Sequence, residues 1–317
     1  MALYLNEQQV AQLLTMHEAI GAVEEAFRMY GDGQAVNNPR SRIRLRQGML
    51  HLMAAALPPW GVMGFKAYTT FRRATRFLFL LYSAESGDLL AIIEADKLGQ
   101  MRTGATTGLA TKIMARADAR RVGLFGAGWQ AQSQLEAVCA VRPIEQVKVF
   151  SRHADRCQAF CHQMTERLQV DVRPATRPDE VLDGADIIVT ATTSRQPVFD
   201  GQKLSAGVHI NAIGSNSLIR CEIDGQTVSR SDIIVVDSRD QAKREAGDLL
   251  PLIERGRLNW EQVYELREVV VGRVPGRRRS EDITLFKSLG LALEDVAVGK
   301  VVYEKAIAQQ VGEDVLS

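Results

Sequence analysis

At 317 residues the chain has room for one large domain or two ordinary ones, and its 46% apolar and 24% charged content is that of a soluble globular protein. A net charge of +1 gives neither the basic footprint of a nucleic-acid binder nor a funnel for acidic substrates. No apolar run approaches a membrane span, and the N-terminal MALYLNEQQV lacks the basic and long apolar regions of a signal peptide, so cytoplasmic residence is expected.

Thr15-Met16-His17-Glu18 is a capping box. It opens a helix with apolar Met16, Ile20, Val23 and Phe27, stopped by Gly31 and Gly33. The basic stretch Pro39–Arg46, PRSRIRLR, alternates charged with apolar or small residues and predicts a strand with one charged face. Most of these arginines are expected in solvent, with one or two turned into an anion-binding cleft. Met49–Ala56 and Val62–Thr69 read as strands joined by the turn Pro58-Pro59-Trp60-Gly61. The second holds a single cation, Lys66, which must snorkel, pair with a carboxylate or serve a function. Arg76–Tyr82 and Leu89–Glu94 form a hairpin around Glu85-Ser86-Gly87-Asp88. The N-terminal third is therefore a helix pair followed by a mostly antiparallel sheet. The small residues of Met101–Ala110 suit a closely packed helix, with Arg102 just inside its start. A guanidinium there opposes the helix dipole and requires an anionic partner, either a structural ion pair or a ligand.

From Arg121 the pattern becomes βαβα. Val122–Phe125 is a buried strand, Gly126-Ala127-Gly128 a turn, and Gln130 to Val141 a helix. Gly126 permits the tight turn, Gly128 lets the backbone approach a pyrophosphate, and Ala131 takes the place of the third glycine. The helix N-terminus offers unpaired N–H groups to phosphates. Further strands are expected at Gln146–Phe150, Val170–Arg173, Asp186–Ala191, Val208–Ile213 and Asp232–Asp237, with helices at Ala154–Arg167 and Asp179–Asp183. Continuous apolar strands such as Ile233-Ile234-Val235-Val236 suit a parallel sheet covered on both faces, so the fold class is α/β with a doubly wound Rossmann domain. An NAD site wants an acid about 20–25 positions after the first glycine. Here the second strand ends in Ser151-Arg152-His153, and a hydroxyl followed by an arginine suits the 2′-phosphate of NADPH, with NADH the lesser choice. Cofactor contacts are expected from Gly126, Ala127, Gly128, Trp129, Ser151, Arg152 and the fourth-strand end Thr190-Ala191-Thr192.

The last segment, Asp282–Gly290, resembles neither pattern and leads into a helix with Val298, Val301, Val302 and Ala306, expected to cross back to the first domain. Arg277-Arg278-Arg279 reads as a solvated loop. Cys139, Cys157, Cys161 and Cys221 form no CxxC pair and read as small core hydrophobes. The five histidines show no ligand spacing, and no metal is expected.

Taken together, Gly64-Phe65-Lys66-Ala67-Tyr68, Met101-Arg102-Thr103-Gly104-Ala105, Gly126–Ala131, His209–Gly214 and Leu285–Gly290 resemble the ornithine cyclodeaminase/mu-crystallin family over nearly the whole chain. The resemblance implies a homodimer whose discontinuous α+β dimerisation and substrate domain, 1–112 plus 286–317, carries an inserted Rossmann domain, 113–285. It implies that Lys66 and Arg102 bind a substrate carboxylate with an arginine of the basic strand, Arg42 first and Arg44 second. Gln130 matches a cofactor contact, Arg102 and Asn216 are further cofactor contacts expected on this resemblance, and Ser151 falls where NAD-using relatives carry aspartate. Cyclodeaminases carry an aspartate after Gly214-Ser215, where this chain has Asn216, and a glutamate ahead of Leu52-Met53, where it has His51. An amide takes no proton at neutral pH, whereas His51 is either a substitute acid/base or an ordinary histidine. The expected activity is NADPH-dependent reduction of a cyclic or open-chain imine of a 2-oxo acid to an amino acid or cyclic amine. The carboxylate would be held by Arg42 and Arg102, with Lys66 orienting or protonating. The catalytic candidates are Lys66, His51 and Asn216. The alternatives are an NAD-dependent ornithine cyclodeaminase and a non-catalytic NADPH-dependent binding protein of the mu-crystallin type. The expected partners are a small imine, 2-oxo acid or amino acid and a second copy of the chain, with no nucleic acid and no membrane.

Overall fold

The computed structural model describes residues 2–71 and 75–315. The chain forms two compact units, Met1–Thr106 with Gly290–Ser317, and Thr107–Leu289.

The first unit is built on a sheet of eight strands among the described residues. Along it run Glu313–Asp314, Leu3–Leu5, Leu89–Glu94, Thr75–Ser83, Val62–Phe71, Gly48–Leu57 and Val36–Asn37, and Ser41–Leu45 also pairs with Gly48–Leu57. All neighbours are antiparallel except Leu3–Leu5 and Leu89–Glu94. The capping box forms as expected, with Thr15 and Glu18 bonding each other's backbone N–H at the start of helix Met16–Gly31.

Period-two alternation sorts this sheet into two faces. Met53, Ala55, Leu57, Val62, Phe79 and Leu81 are buried on the inner one. Helix Ala292–Gln309 packs there, against Met16–Gly31 and the central strands. It is buried over most of its surface, and a Cβ at Gly299 would stand 2.4 Å from Phe79 Cε1, so glycine sets how closely helix and sheet approach. The outer face leaves Leu52, Met63 and Leu78 at 37–43% exposure.

The basic strand departs from expectation. Ser41–Leu45 is an edge strand whose alternate residues Ile43 and Leu45 are 53% and 60% exposed, so neither of its faces is fully covered. Helix Asp96–Met114 begins five residues before the expected Met101, because Glu7 caps it by accepting from Asp96 N and Lys97 N at 2.7 Å.

The second unit holds a wholly parallel sheet in the order Asp171–Pro174, Gln146–Phe150, Arg121–Phe125, Ile187–Thr190, His209–Ala212, Thr284–Lys287, Ile233–Val236, Val263–Glu265. Its first five strands follow the doubly wound Rossmann order, with a reversal beside Arg121–Phe125. Apolar residues cover both faces. Leu135, Phe160 and Met164 lie in one cluster, and Val181, Val228 and Leu252 in the other. Cys157 and Cys161 belong to the first cluster as small buried hydrophobes.

Two strands of this unit are not expected from the sequence, and neither are the short strands Leu3–Leu5, Val36–Asn37 and Glu313–Asp314 of the first. Thr284–Lys287 lies in the middle of the sheet, disguised by a lysine, and Val263–Glu265 is short. Arg277 is also not simply solvated. It donates to Met114 O at 2.8 Å, to Asp282 O and to Thr284 Oγ1 at 3.1 Å, tying its loop down. Among the described residues no helix is long and apolar enough to cross a membrane.

Candidate functional site

In the second unit, strand Arg121–Phe125 delivers the chain to the Gly126-Ala127-Gly128 turn and helix Trp129–Val141. Gly126 sits at φ +109°, and a Cβ there would stand 2.5 Å from Ala191 O, so both backbone and space require glycine. A Cβ at Gly128 meets nothing within 4 Å, which leaves open space ahead of the helix. No side-chain hydrogen bond caps the N-terminus of the helix. Gln130 Oε1 is buried without a partner. A glycine-lined opening, an uncapped N-terminus and an orphaned polar atom together fit a dinucleotide pyrophosphate. Ala131 is fully buried where helix meets sheet, as the third position of the motif requires.

The other expected cofactor residues are disposed unevenly. Half-buried Ser151 and exposed Arg152 follow the second strand, with no acid beside them. Trp129 is 49% exposed at the first helical position. Asn216 is exposed in the loop after Gly214. Thr190 is different, because its buried hydroxyl donates to Glu222 Oε2 at 2.9 Å. Thr192 is likewise bonded, its hydroxyl 2.7 Å from Glu222 Oε1. These threonines are therefore tied to an internal carboxylate that sequence reasoning passed over.

The first unit gathers the cations. Lys66, on the inner face of Val62–Phe71, is 1% exposed and lies 2.7 Å from both carboxylate oxygens of Asp295. Arg102 NH1 lies 2.7 Å from Glu294 Oε2, and Arg102 Nε lies 3.2 Å from Asp295 Oδ1 without hydrogen-bond geometry. Glu294 and Asp295 occupy the first turn of helix Ala292–Gln309, where the dipole favours acids, and both are fully buried. Arg102 thus has the anionic partners expected of it. The dipole argument that called for them does not apply, since Arg102 lies in the second turn of a helix starting at Asp96.

The third cation is Arg40, one residue before the basic strand. It is 4% exposed, donates to Gly290 O at 3.0 Å and faces Met53 Sδ at 3.3 Å. The expected choices lie farther out. Arg44 is exposed, and Arg42 is half-buried with its Nε donating to His51 Nδ1 at 3.2 Å. Burial along the basic stretch falls on Arg40 and not on Arg42 or Arg44. Arg40 sits where the edge strand has not yet left the helix-covered face, so it alone of the four arginines is buried.

Electrostatics separate the two candidate acids. Burial and the Arg102 charge push Lys66 down to about 8, with Asp295 acting against them. His51 is pushed down to about 4 by burial, Arg42 and Arg40. Its ring stacks on Tyr68 at 4.2 Å, and Tyr68 stacks on Phe77 at 4.9 Å. A guanidinium can only donate, so His51 Nδ1 accepts from Arg42, and Nε2 carries the hydrogen towards Thr70 Oγ1 at 3.0 Å. His51 is therefore neutral at physiological pH with both nitrogens engaged, which is at odds with an acid/base role.

The chain has counterparts among known proteins. The model of the ornithine cyclodeaminase/mu-crystallin family matches residues 2–310. An alanine dehydrogenase of Archaeoglobus fulgidus is 35% identical over 321 residues, covering 99% of this chain and 98% of the relative. The solved Delta(1)-pyrroline-2-carboxylate reductase of Thermococcus litoralis, in complex with NADH and L-proline, superposes with a TM-score of 0.95 at 34% identity, covering 99% of this chain and all of that one. A solved archaeal alanine dehydrogenase dimer with bound NAD gives 0.92 at 35% identity and 98% coverage of both chains. With a match spanning both units, the chain belongs to the ornithine cyclodeaminase/mu-crystallin family.

Proposed function

We propose that the chain is a nicotinamide-linked oxidoreductase that reduces imines of 2-oxo acids, cyclic or open-chain, to amino acids or cyclic amines. The observation that carries this reading is the gathering of buried cations in the first unit. Arg40, Lys66 and Arg102 are buried there beside the carboxylates of Glu294 and Asp295. Guanidinium and ammonium groups brought together in a buried cluster suit a substrate carboxylate. Arg40 and Arg102 hold that carboxylate. Lys66, with a pKa of about 8, is mostly protonated at neutral pH and delivers the proton to the imine nitrogen. A reduced nicotinamide bound at the glycine turn of the second unit supplies the hydride when present. The relative crystallised with NADH and L-proline supports a nicotinamide cofactor and a cyclic product.

NADPH is the preferred cofactor on this reading, because Ser151-Arg152 ends the second strand without an acid to repel a 2′-phosphate. The functional unit is a homodimer, in which a second copy covers the outer sheet face of Leu52, Met63 and Leu78; the solved archaeal alanine dehydrogenase dimer supports it. A panel of cyclic imines, and of 2-oxo acids with ammonia or methylamine, followed by the near-ultraviolet absorbance of NADPH and NADH, tests the activity. Stoichiometric cofactor oxidation with amine formation is expected. Ammonia release from diamino acids without net cofactor loss would make it a cyclodeaminase, and binding without turnover a carrier.

A further inference from the structure

The C-terminal ends of two neighbouring strands in the second unit are tied together by one carboxylate. Glu222 is fully buried. Its Oε1 accepts from Thr192 N at 2.6 Å and Thr192 Oγ1 at 2.7 Å, just past strand Ile187–Thr190. Its Oε2 accepts from Gly214 N at 2.6 Å, just past strand His209–Ala212, and from Thr190 Oγ1 at 2.9 Å, at the end of Ile187–Thr190. The two turns are in close contact. A Cβ at Gly214 would stand 2.3 Å from Thr192 O and 2.5 Å from Glu222 Oε1.

A second layer holds Glu222. Asp248 Oδ1 accepts from Glu222 N at 2.7 Å and Ile223 N at 3.2 Å. Asp248 Oδ2 lies 2.9 Å from Lys287 Nζ, which donates to Ser215 O at 2.7 Å. Lys287 is the strand lysine that hid Thr284–Lys287 from the sequence reading. The loop Gly214–Cys221, which carries Asn216, is thus pinned at both ends by three ionisable residues, each 2% exposed or less. Buried charges of this kind add little stability for their desolvation cost, and what they do provide is a single fixed geometry. In a doubly wound sheet the ends of the strands beside the topological reversal are where a ligand lies.

We infer that Glu222, seated by the Lys287–Asp248 ion pair, is a positioning residue for the nicotinamide half of the cofactor: it fixes the paired turns at Ala191-Thr192 and Ile213–Ser215 that receive it. The inference rests on the nicotinamide-linked reading above. The pyrophosphate turn at Gly126–Gly128 lies at a different strand end, so the two halves of the dinucleotide are separable by experiment.

The test is equilibrium binding of reduced cofactor, read by nicotinamide fluorescence, alongside ADP-ribose and 2′-phospho-ADP-ribose, read by calorimetry, on the full chain. Glu222→Gln puts an amide NH2 against a backbone N–H and removes the acceptor of one turn. Reduced cofactor should weaken about tenfold, the scale of one lost charge-assisted hydrogen bond, and the ADP-ribose ligands by less than about twofold. A merely structural role would lower thermal stability without separating the ligands. Should Glu222→Gln fail to fold, the double variant Lys287→Met/Asp248→Asn removes the ion pair at nearly constant volume, and the same split is expected at about threefold or more. Equal weakening of all the ligands, or no weakening, overturns the inference. Failure of the wild type to bind any of them overturns the nicotinamide-linked reading instead.

Discussion

Lys66 and Asp295 make the proposed proton delivery measurable. If Lys66 is the acid, kcat/KM for imine reduction should be level at neutral pH. It should fall as pH rises through about 8, where burial and Arg102 place the ammonium. Replacing Asp295 by Asn removes the partner that opposes that shift. At the observed 2.7 Å and an effective dielectric of about 20, the attraction of two unit charges is roughly 6 kcal/mol. Even a quarter of that exceeds the 1.36 kcal/mol of one pKa unit, so the break should drop to about 7 or lower. The sign is unambiguous, because losing a negative neighbour always disfavours the charged lysine, and Arg102 then repels it unopposed. Loss of one partner of a buried pair also costs about 3–5 kcal/mol of stability, so the assay belongs well below the variant's melting temperature. Two imines of different basicity, measured at saturating cofactor, separate the enzyme's titration from the substrate's. A level profile to pH 9.5 in the wild type, or a break that Asp295→Asn leaves in place or moves upward, would refute Lys66 as the acid.

The sequence revealed the second unit far better than the chemistry of the first. Continuous apolar strands and the Gly126-Ala127-Gly128 turn are local signals, and the parallel sheet and its dinucleotide turn follow from them. The partners of Lys66 and Arg102 are not local. Glu294 and Asp295 lie some two hundred residues away and read as ordinary first-turn acids, although two acids followed by the apolar run Val296–Gly299 form a usable signal. Which arginine is buried was hidden for a similar reason. Alternation gives the phase of a strand, but where an edge strand leaves the covered face is decided by the helix packed on it, and that buries Arg40. Thr284–Lys287 is hard to read because its apolar stretch is short and closes on a lysine, which Asp248 and Ser215 satisfy in the core.

The other expectations are direct. Arg102→Met should raise the Michaelis constant for the imine more than it lowers turnover, since it removes binding common to ground and transition states; the reverse pattern would give Arg102 a role in the chemical step. Ser151→Asp should turn an NADPH preference into an NADH preference by repelling the 2′-phosphate, and equal wild-type specificity constants for the two cofactors would remove its basis. Leu52→Glu, on the outer sheet face, should shift sedimentation from dimer to monomer, and an unchanged dimer would place the interface elsewhere. Ornithine and lysine, finally, should be inert with either oxidised cofactor. Ring closure needs a base for a side-chain amine whose reference pKa is about 10.4. Asn216 cannot accept that proton. His51 was the one candidate substitute, and its structure removes it, because the Nδ1 lone pair is taken by Arg42 and the ring is stacked on Tyr68. Release of ammonia with proline or pipecolate at about one turnover per second would mean that another base acts on the substrate and that the cyclodeaminase reading is correct.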